Sequence, residues 1–281
     1  MNGIYLVDKR VDWTSRDCVN RLSHILHTKK IGHTGTLDPF ATGLLIITVG
    51  SSTKILPFME GFSKTYVASL KLGATTATLD LETPETVFKE ITPLTKEDIE
   101  QVFKDYIGKI KQIPPTTSTI KIDGIPAYKR YRAGETITMK TREVEIYDLK
   151  LISYVPPVIN FMVTCSSGTY VRTLGADIAQ SLNTLGYLIA LRRTKIGPFL
   201  VSAAKDVENI TLTDAHSSME ALIDMPRLNV NSEQKELVIH GRYLQIEQQA
   251  PLLLMVDDNL PLAIYYWNDE EKIYKCRRGL L

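Results

Sequence analysis

The stretch GHTGTLDPFATG, Gly32 to Gly43, decides how the rest of this chain is read. Three glycines and three threonines in twelve residues describe a loop that bends tightly and lets backbone approach something closely. It is not a nucleotide-triphosphate loop, which would end in Gly-Lys-Ser/Thr, and it lacks the Gly-x-Gly-x-x-Gly dinucleotide pattern. Taken by themselves, Asp38 and Pro39 read as a helix start, with Asp as the cap and Pro at the first helical position. His33 alone reads as a loop hydrogen-bonding residue.

Working outward, Gly3 to Asp8 reads as a short strand. Ser15 caps a helix through about Thr28, with Val19, Leu22, Ile25 and Leu26 on one face. Leu44 to Val49 is an unbroken apolar run of interior-strand length. Lys64 to Leu72 alternates, placing Tyr66, Ala68, Leu70 and Leu72 on one face of a half-buried strand. Thr95 to Ile107 is the clearest helix, capped by Thr95 and stopped by Gly108. Pro114 to Thr141 is a polar excursion around a helical piece, Ala127 to Ala133. Two strands joined by a Pro-Pro turn follow, Glu143 to Ser153 and Val158 to Ser166. Thr169 to Leu185 reads as a helix closed by Gly186, and Tyr187 to Ile196 as a strand. After Asp224, short apolar runs (Leu237–Ile239, Leu252–Val256, Leu262–Trp267) between turn residues describe a small β-rich module. The irregular alternation gives a mixed α+β class.

With 281 residues, 44% hydrophobic and 23% charged, the chain can bury one large core and a small one. No apolar run reaches the roughly 18–20 residues of a membrane helix, and the first residues show no secretory leader, so the expected compartment is the cytoplasm. Cys18, Cys165 and Cys276 share no C-x-x-C spacing, which argues against a disulfide framework or zinc site; Cys165, in an apolar run, reads as a small buried residue. His24, His27, His33, His216 and His240 form no metal motif, and His24 and His27 read as solvated. The net charge of +1 neither supports nor excludes a nucleic-acid partner. Lys104, Lys109, Lys111, Lys121, Lys129, Arg130, Arg132, Lys140 and Arg142 concentrate positive charge in one stretch. That stretch is a candidate for phosphate contacts or a solvated surface.

The loop at residues 32–43 resembles the signature of the TruB family of pseudouridine synthases. Three further stretches match in order: Lys64-Thr65-Tyr66, Ser167 to Leu174 (SGTYVRTL) and Leu191-Arg192-Arg193-Thr194. Together with the segment Pro114 to Arg142, the resemblance spans nearly all of residues 3 to 200. It implies a largely antiparallel mixed sheet flanked by helices, as a catalytic domain over residues 1–224. An RNA-gripping insertion at about 113–142 and a PUA-like RNA-binding module over 225–281 complete the expected organisation.

The resemblance makes Asp38 the catalytic carboxylate, with Tyr66 and Arg172 as its catalytic partners. Tyr66, Tyr170 and Leu191 line the uracil pocket, and His33 fills the space left by a flipped base. Without it, Tyr66 and Leu191 would read as core, and Tyr170 and Arg172 as surface groups. A carboxylate suits this chemistry as nucleophile or as stabiliser of a cationic sugar, and Arg172 beside Asp38 would keep it ionised by lowering its pKa. No cofactor and no metal are implied. The implied partner is the T-arm of transfer RNA, with the uridine at position 55 as target; no membrane and no obligate protein partner are implied, and a monomer is expected. A non-enzymatic RNA-folding protein and a guide-RNA-dependent synthase are the rival readings. Two departures stand out: Lys9-Arg10 where the family has Lys-Pro, and Thr76-Ala77-Thr78-Leu79-Asp80 where it has a further acid and a following glycine.

Overall fold

The computed structural model describes residues 2–281. One main sheet is built from β1 (Gly3–Lys9), β2 (Ile31–Thr34), β3 (Thr42–Val49), β4 (Lys64–Leu72), β5 (Gly108–Gln112), β6 (Arg142–Val155), β7 (Val158–Cys165) and β8 (Gly186–Ile196), with the two-residue strand Phe199–Leu200 paired to the end of β8. Its strand order is β1-β3-β8-β4-β7-β6-β5, with β2 paired to β3. Every pair is antiparallel except β8 on β3. The strict alternation of β4 buries Lys64, Tyr66, Ala68, Leu70 and Leu72 on one face. The unbroken apolar run of β3 reflects its place between β1 and β8, covered on both sides.

Helix α1 (Ser15–Ile25) packs Val19 and Leu22 beneath β1 and β3. Its cap is Thr14 rather than Ser15: Thr14 accepts from the Asp17 N–H, and the Asp17 carboxylate accepts in return from the Thr14 N–H. Ser15 is buried instead, exchanging hydrogen bonds with the backbone of Leu37. Helix α2 (Lys96–Asp105) has the expected Thr95 cap. Between β5 and β6 the chain makes an excursion holding the short helix α3 (Ala127–Arg132). Because β5 and β6 are hydrogen-bonded neighbours, this segment is an extension of one hairpin rather than part of the core.

Helix α4 (Val171–Ser181) packs Leu174 and Ile178 on β4 and β8. It stops four residues before the expected end, because Asn183 turns to φ +57. Gly186 does not cap it. It lies in β8, where a Cβ would stand 2.7 Å from Ala179 Cβ and 2.9 Å from Leu70 Cδ1, so its role is close packing.

The C-terminal module is a sheet of β9 (Arg227–Asn229), β10 (Leu252–Asp257), β11 (Leu260–Asn268) and β12 (Ile273–Gly279), with α5 (Ser232–Ile239) against it. Leu237 to Ile239, expected as a short strand, is the last turn of α5, which an Asn231–Gln234 capping box starts. Leu254, Val256 and Ile264 share a buried cluster with Ile4, Leu44 and Ile46, so the module is fused to the main sheet by apolar contact. Among the described residues, no helix is long and apolar enough to cross a membrane.

Gly43 gives the loop its exit into β3. It has φ +101, and a Cβ there would stand 2.3 Å from the Arg193 carbonyl oxygen. Backbone cannot yield as a flexible side chain can. Gly43→Ala is therefore expected to lower stability by at least about 1–3 kcal/mol in urea unfolding; an unchanged midpoint would show that β3 and β8 can separate freely.

Candidate active site

The loop between β2 and β3 is not a helix start. Asp38 begins a tight turn in which its carbonyl accepts from the Ala41 N–H at 3.1 Å, and no helix follows. Distant side chains hold the loop in this shape. Lys9 Nζ donates to the carbonyls of Arg10, Trp13 and Pro39 at 2.9, 2.6 and 3.1 Å. Arg193 donates through Nε to the Leu44 carbonyl at 2.7 Å and through Nη2 to the Gly35 carbonyl at 3.0 Å. Arg10, the departure beside Lys9, pairs with Asp206 and lies 5.5 Å over the Trp13 ring, so its charge is satisfied outside the loop.

The loop lines a cavity of about 340 Å³, the scale of a small-ligand cleft. Asp38, Tyr66, Tyr170, Arg172 and Leu191 all line it, drawn from the loop, β4, α4 and β8. His33 is not among the lining residues; it sits on β2, one residue before the lining begins at Thr34. Its Nδ1 is buried without a hydrogen-bond partner, and burial lowers its pKa, which keeps the ring neutral at physiological pH.

Arg172 is the centre of the site. It stands in the first turn of α4, where a cation opposes the helix dipole, and it is 3% exposed. Its Nε lies 2.9 Å from Asp38 Oδ2, and its Nη2 donates to Asp38 Oδ1 at 3.1 Å. Nη1 donates to Asp80 Oδ2 at 3.0 Å, to the Thr78 carbonyl at 2.8 Å and to Thr117 Oγ1 at 2.9 Å. The two carboxylates differ in access: the Asp38 side chain is 32% exposed, the Asp80 side chain 1%. Asp38 therefore faces the cavity and Asp80 anchors the guanidinium from behind. Asp80, which the sequence alone left without a role, is itself held by the Thr78 hydroxyl and the Glu82 N–H.

The electrostatics correct one expectation. Burial pushes the Asp38 carboxyl above the ordinary aspartate range; Arg172 pulls it back, and Asp80 adds to the rise. The net direction is upward, not downward. Burial likewise raises the Tyr66 hydroxyl, against a lowering influence from Arg193, so Tyr66 is a neutral phenol at physiological pH. Tyr170 is fixed through its backbone: Gln112 donates to its carbonyl at 3.3 Å and accepts from its N–H at 3.1 Å.

Residues 23–171 match the N-terminal domain of the TruB family pseudouridylate synthases. The chain belongs to that family. Named tRNA pseudouridine synthase B, the Francisella philomiragia protein is 38% identical, with 98% of this chain and 94% of that one covered. The Hydrogenovibrio crunogenus protein of the same name is 35% identical, covering 99% and 93%. The corresponding Lactococcus lactis protein is 39% identical, covering 86% and 78%. Among solved structures, a Cbf5-Nop10-Gar1 complex matches with a TM-score of 0.76 at 20% identity, over 99% of this chain and 85% of that one. An H/ACA RNP bound to a substrate RNA containing 2′-deoxyuridine gives 0.74 at 19% identity. These two establish the pseudouridine synthase fold. The family makes this TruB protein an isomerase.

Lys64, Thr117, Ser118 and Arg193 also touch the site, although the sequence reading gave none of them an individual role. Lys64 and Arg193 lay inside matched motifs, so their position was visible and their orientation was not.

Because Asp80 is sealed, removing it leaves a buried cation short of its partner. Asp80→Ala should destabilise by on the order of 3 kcal/mol in urea, whereas Thr117→Ala, which deletes one neutral acceptor, should cost about 1 kcal/mol. Equal losses would mean that Asp80 is not the anchor.

Proposed function

We infer that this TruB protein converts uridine to pseudouridine in transfer RNA, at the uridine of position 55 in the T-loop, with Asp38 as the catalytic carboxylate. The observation that carries the reading is the Asp38–Arg172 ion pair opening on a cavity lined by Tyr66, Tyr170 and Leu191. The names of the relatives support the substrate.

The reaction breaks the N1–C1′ bond, forms a C5–C1′ bond, releases the hydrogen on C5 and leaves a proton on N1. No atom is gained or lost. The uridine must leave its stack to reach a carboxylate inside a cavity. Tyr66 and Leu191 offer apolar surface to the flipped base, and Tyr170 closes the side next to Arg172. His33 then occupies the vacated space in the RNA, a reading supported by its neutral ring and its position on β2 next to the cavity-lining Thr34. Asp38 must be ionised as nucleophile or as charge stabiliser, and the paired guanidinium fixes the direction of its oxygens. The Tyr66 hydroxyl can move a proton once a base lies against it.

Phosphate contacts fall to the insertion at 113–142 and its flanks. Lys109 pairs with Glu143, and Arg130 with Asp123 and Glu135. Lys104, Lys111, Lys121, Lys129, Arg132, Lys140 and Arg142 have no carboxylate within 4.0 Å among the described residues. Those seven are free to meet RNA. The module at 225–281 serves as a PUA-like RNA-binding unit, and the enzyme acts as a monomer without a guide RNA or protein partner.

Tritium release from tRNA transcript carrying 5-tritiated uridine measures the reaction directly. Wild type should release tritium from bare transcript, and Asp38→Ala should be slower by at least about 10³-fold. Release at the wild-type rate by Asp38→Ala would overturn the assignment; release only with an added guide RNA would favour a guided synthase. Arg172→Lys should lose most activity while remaining folded, because an ammonium cannot face both Asp38 oxygens and Asp80 at once.

The pH profile follows from the raised Asp38 pKa. The active form is ionised, so kcat/KM should fall as pH drops through a value above the ordinary aspartate range. An acid limb at or below that range would contradict a buried, ionised Asp38.

A further inference from the structure

Lys64 and Arg193 bury two positive charges in the wall of the same cavity, at 6% and 1% exposure. Neither has a carboxylate within 4.0 Å among the described residues. The other cations near the site are already satisfied. Arg172 lies between two carboxylates, and Lys9 spends its three N–H bonds on three carbonyls. Lys64 has a single acceptor, the Glu60 carbonyl at 3.2 Å, which leaves two of its N–H bonds unused. Arg193 commits Nε and Nη2 to carbonyls and also acts on the neutral Tyr66 hydroxyl, so among the described residues none of these partners carries a charge to match its own.

The two are adjacent. A Cβ on Gly35 would stand 3.5 Å from Arg193 Nη1 and 4.0 Å from Lys64 Cε, so both flank one point on the loop that carries Asp38. Gly35 has φ +64 and is solvent-exposed, which leaves that point open for a ligand to approach. Burying two like charges side by side is costly unless an anion joins them.

We propose that Lys64 and Arg193 form a binding site for one phosphodiester group of the RNA, the one flanking the flipped uridine. This rests on the uridine of an RNA chain being the group that enters the cavity. The anion supplies the charge the protein lacks, and it registers the nucleotide on the sheet so that the sugar faces Asp38. The seven exposed cations of the insertion and its flanks grip RNA generally; this pair acts on the reacting nucleotide.

A pH signature accompanies the site. Burial and the neighbouring Arg193 bring the Lys64 pKa down to about 8, while Cys165 and Glu60 act in the opposite direction. Cys165 is pushed up to about 11 and stays a neutral thiol, and Glu60 is an exposed carboxylate at the rim. A bound phosphate favours the charged ammonium, so RNA affinity should weaken as pH rises through about 8 in wild type. Lys9 is also lowered to about 8, so the comparison must be made against Lys64→Arg, which alters only the one site and stays charged.

The test uses the full chain and tRNA transcript carrying a single methylphosphonate, neutral in place of phosphate, on the 5′ or the 3′ side of the target uridine. Equilibrium binding is measured against salt for wild type, Lys64→Gln and Lys64→Arg. At one of the two positions the neutral linkage should weaken wild-type binding about ten-fold and lower the salt slope by about one. Lys64→Gln should show the same loss with normal transcript and no further loss with that methylphosphonate. Lys64→Arg should keep wild-type affinity and lose the weakening above pH 8.

Multiplying losses at both positions, or an unchanged salt slope in Lys64→Gln, would overturn the proposal. If Lys64→Gln does not fold, the substrate arm decides alone: wild-type affinity indifferent to both methylphosphonates overturns it. Tritium release by wild type from normal transcript is recorded separately. Its absence would sink the proposed reaction without touching the phosphate measurement.

Discussion

One buried guanidinium holds this site together. Arg172 sits at the start of a helix, out of contact with water, where its charge is disfavoured by burial and by the helix dipole alike. Two carboxylates and two neutral oxygens offset that cost, and they come from three other segments: the 32–43 loop, the turn at 78–80 and the foot of the insertion at Thr117. The site cannot assemble one piece at a time. Moving either carboxylate away from Arg172 leaves charge uncompensated, and moving Thr117 leaves a donor unmet, so these contacts enforce the relative position of elements far apart in sequence. The unequal access of the two acids then divides their work. Asp80 is spent on structure, and Asp38 keeps an open side toward the cavity.

The same logic explains a loop that local rules misread. Asp-Pro is a good helix start in isolation, and nothing within the twelve residues forbids it. What prevents the helix is tertiary. Lys9 takes the Pro39 carbonyl, Ser15 takes both backbone groups of Leu37, and Arg193 takes the Gly35 carbonyl. These groups hold backbone that a helix would have turned inward on itself. The loop is rigid because distant side chains satisfy it, and a rigid loop is what a preorganised carboxylate requires.

This sets how much could be read in advance. The sheet was legible because its signals are local: the alternation of residues 64–72 and the continuous apolar run of 44–49 each describe one burial environment. Errors fell where local signals compete. Thr14 and Ser15 are both good caps, and only the Asp17 partner three residues after Thr14 separates them. Leu237 to Ile239 is too short for its period to show; the Asn231–Gln234 box was the better clue. At the site, the resemblance named Asp38, Tyr66, Tyr170, Arg172 and Leu191, and the cavity gathers all five. It could not show that Asp80 closes the pair or that burial outweighs Arg172 in its effect on Asp38, because both depend on packing.

The spacing inside the matched motifs has a geometric reason. Side chains alternate across a strand, so Lys64 and Tyr66 on β4 share one face, as do Leu191 and Arg193 on β8. The strands are antiparallel neighbours in a register that sets Arg193 opposite Tyr66 and Leu191 opposite Ala68. One patch of sheet therefore presents a lysine, a tyrosine, a leucine and an arginine together. Arg192, between the last two, faces the other way and pairs with Asp8 at 2.7 and 3.0 Å. A slip of one residue in that register would carry Arg192 to the cavity and send Arg193 to Asp8. The charge would survive, yet the hold on the Gly35 and Leu44 carbonyls would not. The Lys-x-Tyr and Leu-Arg-Arg patterns are thus less a list of reactive groups than a statement of which face of two strands looks toward Asp38.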